Sequence, residues 1–389
     1  MSSVEPVDTP ERVSIRPEAQ TMLHVWHHDG MLAHQPRHAT RTTHPERPER
    51  LEETAIAIHE ALQCLPPSRV RWHAPSPAAW EDLSAVHDDD YLELLARLDG
   101  ETHQLDEDTS VSPGSVGAAL LAAGACVEAG RMCAQTPGLR ALCLTRPPGH
   151  HALPGRAMGF CLLANLAIGV QSARSCPSPH PIRRVALLDW DVHLGNDTVE
   201  IFEADADVLV VDVHEAGLWP HQGGLDHIGR GAGRGSTVQL PMPPGSGDAD
   251  HLAAVRDLFL PIARDHDPDL ICVAAGFDAH DRDPLGGQRI STSGFAALMD
   301  SVCELAEEEP RRRLMVTLEG GYDVPALAEA AAACARVLAG QTAAPDLGPP
   351  RPSTRPTPAV RALIDRASGL HAQARRLREA GHRGRDPSI

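Results

Sequence analysis

The 389-residue sequence predicts an α/β fold: a single open parallel β-sheet flanked by helices on both faces, with its functional site at the carboxyl ends of the strands. Three observations carry this. Apolar, β-branched-rich runs alternate with helical stretches through the middle of the chain, the pattern of strands buried on both faces by crossover helices. Each run ends in a polar or glycine-rich burst, and in such sheets ligands bind outside the carboxyl ends of the strands. With 42% hydrophobic residues the chain can also bury a large core.

In chain order, residues 1–20 are polar and read as a flexible segment, and the main domain is expected over 21–341. Within it, Pro48 opens an amphipathic helix with Leu51, Ala55, Ile58 and Leu62 on one face. "SPGSVGAALLAAGACVEAGRM" reads as a small-residue helix able to pack close to the sheet. The expected strands are "LRALCL", "RVALLDWDVH", "DVLVVDVH", "DLICVAAGFD" and "RLMVTLEGGY". The glycines of "GGLDHIGRGAGRGSTVQLP" lead into a further strand and not a helix, which argues against a phosphate-cradling loop. Residues 342–357 form a proline-rich linker, and 358–389 a last helix and tail. The stripe Val360, Leu363, Ile364, Ala367, Leu370 and Ala374 docks on the body or on a partner subunit, the one hint of a homo-oligomer.

Composition narrows the function classes. Acidic residues outnumber basic ones 53 to 35, so electrostatic binding of nucleic acid is not expected and a cationic substrate is weakly favoured. Every basic residue is arginine. The nine cysteines contain no Cys-x-x-Cys pair, which fits reduced thiols and a cytoplasmic protein. No run reaches the 18 apolar residues expected of a membrane span.

The polar bursts place His150, His151, Asp189, Asp191, His193, Asp212, His214, Asp278 and Tyr322 on one rim. Asp191 and His193 are two apart at a strand end, where alternate side chains point the same way and reach one ion. Asp278 supplies a third ligand and leaves a position open for water, as in catalytic zinc sites. Taken singly, each is as well explained as a hydrogen-bonded strand-end group; three together favour the metal. A two-metal site would want carboxylates where Gly195 and His280 stand, so one metal is expected, with His280 the open question. A water attacking an amide needs a base and the departing amine an acid, roles that suit the imidazoles of His150 and His151. Tyr322, behind Gly320 and Gly321, is placed to donate to an oxyanion.

These residues resemble the histone deacetylase superfamily, in its class II-like branch with the bacterial deacetylase-like amidohydrolases. The matching stretches, in family order, are "HPERPERL", "VHDDDYL", "RPPGHHALPGRAMGFC", "LDWDVHLGND", "VAAGFDAHDRDPLGG" and "LEGGYD". The resemblance implies the arginase/deacetylase fold and zinc-dependent hydrolysis of an N-acyl amide, typically acetyl-lysine in a peptide or a small acetylated amine. It implies one zinc on Asp191, His193 and Asp278, His151 as base, His150 as electrostatic partner or acid held by Asp189, and Tyr322 polarising the carbonyl. It further implies Phe160 with Gly159 as a tunnel wall, Leu285, Gly320 and Gly321 around the substrate, and Arg50 near an internal product channel. A monovalent cation, potassium, is implied at Asp189, Asp191, His193, Asp212 and Val213. The chain departs from the family at Leu194 and Asp197, where altered loop packing with the chemistry kept is expected, and at Asp212, which stands where a serine is common and is expected to change the charge of the cation site. Asn196 behind His151 matches the class II-like branch. Leu285, where polyamine-specific relatives carry a glutamate, tilts the substrate away from polyamines; "VSPGSVG" offers no aromatic for the second tunnel wall. The other readings open at this point are an acetylpolyamine or natural-product deacetylase and an acyl-lysine or metal-binding module without turnover.

Overall fold

The computed structural model describes residues 22–37, 44–341 and 355–383; the expected flexible segment 1–20 and linker residues 342–354 lie outside the described residues. Ten strands occur among them: β1 (Leu23–Trp26), β2 (Val70–His73), β3 (His103–Gln104), β4 (Ser110–Val111), β5 (Arg140–Cys143), β6 (Val185–Asp189), β7 (Val208–Glu215), β8 (Thr237–Met242), β9 (Leu270–Ala275) and β10 (Arg313–Leu318). Eight form one sheet in the order β2-β1-β5-β10-β9-β6-β7-β8, with every neighbouring pair parallel. β3 and β4 make a separate antiparallel pair. The five expected runs became β5, β6, β7, β9 and β10, and all their residues are buried, as strands covered on both faces must be.

The topology decides what meets at the rim. After β5 the chain skips outward to build β6, β7 and β8, then returns to lay β9 and β10 into the gap between β5 and β6. The strand ends of β5, β10, β9, β6 and β7 therefore lie side by side, although β5 and β10 are far apart in sequence. β1 and β2 were not legible beforehand: each has four residues, and β2 is only half-buried, so neither carries an apolar run.

Helix Glu49–Leu62 starts behind Pro48 as expected and buries Leu51, Ile58 and Leu62. Helix Ser115–Gln135 packs against β5, β10 and helix Asn165–Ser175. Its small residues permit this: a Cβ on Gly130 would stand 2.2 Å from the Gly169 carbonyl. By length and composition it could cross a bilayer, although Glu128 and Arg131 interrupt its apolar run; 67% of its most apolar stretch is buried inside the protein, so core packing accounts for that character. The last helix spans Pro358–Arg383 and lies against β8. Val360, Ile364, Ala367 and Ala374 are buried there, so the stripe is covered by the chain's own body. All nine cysteines are free thiols, seven of them buried.

Candidate metal centre and substrate pocket

β6 ends at Asp189, and the turn that follows carries Asp191 and His193. Asp278 follows β9, the neighbouring strand. His193 Nδ1 lies 3.1 Å from Asp191 Oδ1 and 3.1 Å from Asp278 Oδ2, and the three potential ligand atoms fall within 4.8 Å of one another. Among the described residues no other group of histidine, cysteine and carboxylate side chains meets that condition. Backbone amides fix both carboxylates: Gly320 N donates to Asp191 Oδ2 (2.8 Å) and Val192 N to Asp278 Oδ1 (2.8 Å). Burial opposes a charge on His193, but Asp191 and Asp278 outweigh it and lift its pKa to about 10. The field there calls for positive charge, and an Asp-His-Asp donor set suits a divalent ion such as zinc.

The geometry also answers the question left at Gly195 and His280. A Cβ on Gly195 would stand 2.2 Å from Asp189 Oδ2, so no carboxylate fits there. His280 sits 3.2 Å from Thr292 Oγ1 and 3.0 Å from Asp281 and stacks on Phe295, turned to other partners than the triad.

The two histidines after β5 have opposite surroundings. His150 Nδ1 lies 3.2 Å from Asp189 Oδ2 and its Nε2 3.6 Å from Asp191 Oδ2; burial works against its charge, but the two carboxylates prevail and hold its pKa well above the usual histidine value. His151 is driven well below that value, by burial first and then by the charges of His150 and His193. Its Nδ1 is 2.8 Å from Asn196 Oδ1, while the Asn196 amide nitrogen donates to the His151 carbonyl; the network assigns the proton to Nδ1 and leaves Nε2 as an acceptor.

His151, His193, Gly159, Phe160, Leu285 and Tyr322 line a cavity of about 250 Å³ with Pro45, Asp108, Leu218 and Trp219. Trp219 supplies the aromatic wall that "VSPGSVG" lacked. Its ring stands edge-on to His151 at 4.7 Å, and a Cβ on Gly159 would collide with it at 2.5 Å, so Gly159 makes room for the indole. Nothing local in "GLWPHQGG" marks that tryptophan, because the loop after β7 brings it over strand ends that belong to other parts of the chain. Phe160 is held with φ at 67° and its N–H donates to Thr109 Oγ1. Gly320 and Gly321 do not line the cavity, which revises their expected place around the substrate. A Cβ on Gly320 would meet Asp278 Oδ2 at 2.2 Å and Asp191 Oδ2 at 2.4 Å, so its role is to let the backbone approach the triad.

Glu319, which the sequence did not mark, and Arg50, which it did, complete the rim. Glu319, unexposed, accepts from Gly149 N (2.7 Å) and His150 N (3.2 Å), and burial raises its pKa to about 6. Arg50 donates to the carbonyls of Gly321 and Glu319, and its guanidinium carbon stands 4.8 Å from the Tyr322 ring centre. Of the expected cation residues, Asp189 accepts from Asp191 N, and Asp212 accepts from Gly195 N (2.8 Å) and faces His214 Nδ1 at 2.5 Å; Val213 is buried in β7. The departures are absorbed in the loop: Leu194 is buried, and burial pushes the Asp197 carboxyl well above its usual pKa.

An open parallel sheet with this triad, histidine pair and tyrosine at its strand ends defines an α/β protein of the arginase/deacetylase fold. The chain belongs to the histone deacetylase family: the histone deacetylase domain model matches residues 44–338. It is 35% identical over 288 residues to a probable deacetylase of Archaeoglobus fulgidus, covering 74% of this chain and 79% of that protein. It is 38% identical over 257 residues to a histone deacetylase-like amidohydrolase of Pseudomonas aeruginosa, covering 66% and 67%. The crystal structure of the HDA15 HD domain superposes with a TM-score of 0.80 at 28% identity, covering 94% of this chain and 98% of that one. These relatives support deacetylase activity, a hydrolase reaction on acetylated substrates.

Proposed function

We propose that the protein is a zinc-dependent amidohydrolase that removes an acetyl or related acyl group from an acetyl-lysine side chain or a comparable small amine. One observation carries the reading: the Asp191, His193 and Asp278 triad lies beside a 250 Å³ cavity that is lined at once by His151, His193 and Tyr322. Asp191, His193 and Asp278 would hold one zinc ion per chain, which supplies Lewis-acid activation of a water and of the acyl oxygen. Phe160, Trp219 and Leu285 present apolar surface along the cavity, suited to a linear aliphatic chain.

His151, neutral with Nε2 free, takes the proton of the attacking water as the hydroxyl adds to the acyl carbon. The carbon–nitrogen bond then breaks, the nitrogen receives that proton, and amine and carboxylic acid leave. His150, cationic against Asp189, stabilises negative charge beside the reacting carbon. Burial holds the Tyr322 hydroxyl far above its usual pKa, so it stays protonated and donates to the acyl oxygen. A monovalent cation, potassium, is assigned to the Asp189, Asp191, His193, Asp212 and Val213 segment, where the facing Asp189 and Asp212 carboxylates favour positive charge.

The test is zinc content together with amine release from acyl-lysine peptides, acetylpolyamines and small N-acetyl compounds, with and without a hydroxamate chelator. About one zinc per chain and hydroxamate-sensitive turnover of acyl-lysine peptides is the expected result. Turnover confined to the acetylpolyamines or small compounds would replace the substrate assignment. Bound zinc without turnover across the panel would leave two readings, a metabolite substrate outside the panel or a binding module.

A further inference from the structure

Tyr322 stands in a stretch without regular secondary structure, between β10 and helix Val324–Leu338. A hydroxyl that must reach a developing oxyanion needs its backbone fixed. One side of the loop is held by Arg50, through the carbonyls of Glu319 and Gly321. The other side is held by a residue that neither the reaction nor the triad uses. Asp283 Oδ2 accepts from Tyr322 N at 2.6 Å and from Asp323 N at 3.1 Å, while its Oδ1 accepts from Leu285 N at 2.9 Å. One carboxylate thus ties the loop after β9, which carries the Leu285 wall, to the loop after β10, which carries the tyrosine. Asp323 in turn caps helix Val324–Leu338 through Ala326 N (2.9 Å), so the tie ends on a rigid element.

Asp283 is 8% exposed, and burial followed by the nearby Asp278 charge raises its pKa to about 7. Holding a carboxylate in so unfavourable a place is repaid by three backbone donors, all of which belong to the two rim loops. No short neutral side chain accepts three such bonds: asparagine offers one acceptor oxygen, alanine none. Asp283 does not line the cavity and is not a catalytic residue.

From this geometry, and resting on the assignment of Tyr322 as carbonyl-polarising hydroxyl, we infer that Asp283 is a positioning residue that sets the reach of Tyr322 and registers it against the Leu285 wall. Its effect is exerted on turnover through the tyrosine, with metal binding left intact.

The experiment is a double-mutant cycle on the zinc-loaded full chain, with Asp283→Ala, Tyr322→Phe and the combined variant, each followed by kcat, KM, zinc content and thermal melting. Displacement of a catalytic group by about 1 Å costs up to about 100-fold, so Asp283→Ala should lower kcat by about 10- to 100-fold with KM little changed and zinc retained. Combined with Tyr322→Phe it should add almost nothing to the loss from Tyr322→Phe alone, because the group being positioned is already gone. Asp283→Asn, which keeps one acceptor, should fall between wild type and alanine, and it carries the same cycle if the alanine variant does not fold. Losses that multiply in the double variant, or an unchanged kcat in Asp283→Ala, would overturn the inference. Full activity in Tyr322→Phe alone would instead remove the tyrosine's assigned role, and the inference with it, a failure visible before Asp283 is touched.

Discussion

Glu46 and Asp189 are both carboxylates without solvent exposure, yet their surroundings drive them in opposite directions. Around Glu46, burial raises the pKa, but Arg146, His34 and Arg50 outweigh it and bring it down to about 2. Arg146 grips both oxygens, at 2.7 Å and 3.0 Å, and directs two further donors to the carbonyls of Met31 and His34. Around Asp189, burial and the acidic neighbours Asp212 and Asp191 exceed the help of His150, and the pKa goes well up. Near it, Glu319 Oε1 and Asp197 Oδ2 have no hydrogen-bond partner. In the first cluster the one carboxylate is compensated by two guanidiniums of the protein itself, which is how structural ion pairs survive burial. The second carries an excess of carboxylate, and an excess of one sign held at strand ends marks a site that takes up a cation and moves protons.

The comparison is broken most decisively by removing a ligand. Asp278→Ala should abolish zinc binding and lower turnover by about 10³-fold or more while the chain stays folded, since the acid-rich cluster loses one of its like charges. Zinc retained at one per chain, read by metal analysis, would refute the ligand set. Glu46→Ala should do the reverse, leaving Arg50 and Arg146 buried without their carboxylate. The expected loss is about 3–5 kcal/mol of stability, read from the denaturant midpoint, with any loss of zinc following from unfolding. A loss below about 1 kcal/mol would show that this network does not behave as a buried ion pair.

A finer test uses acid. The ordinary value for Glu46 is 4.5 and the folded value about 2, so the unfolded chain binds the proton more readily and stability rises with pH across that window. The contribution of Glu46 is fully present above about pH 4.5, is lost as pH falls toward 2, and amounts to something on the order of 3 kcal/mol. Stability of the Glu46→Gln variant, followed by denaturant titration from pH 6 to pH 3, should fall less steeply than that of the wild type. Equal slopes would mean that another group carries the acid response.

Much of the rim was legible because its signals are local. Asp191 and His193 are two residues apart just behind an apolar run, so their nearness is local, although it is the turn after β6, where His193 N donates to Asp191 Oδ1, that carries them and not strand alternation. The His150-His151 pair and the Gly-Gly-Tyr exit are similarly short-range. The partners that tune them are not. Glu46 meets Arg146 across a hundred residues, Trp219 reaches Gly159 from another strand end, and Asp283 reaches Tyr322 between two loops. Each of these side chains has an ordinary explanation in its own neighbourhood, so none announces a role.

The sequence by itself determined that five apolar runs would be parallel strands and that histidines, aspartates and a tyrosine would gather at their ends. The period of buried hydrophobicity and the polar bursts are properties of neighbouring residues, and they survive without knowledge of the fold. Only the tertiary structure decided that β9 and β10 enter between β5 and β6, and with that insertion which imidazole has its pKa raised and which has it lowered. Charge state depends on distance and burial, and both are set by which strands lie side by side.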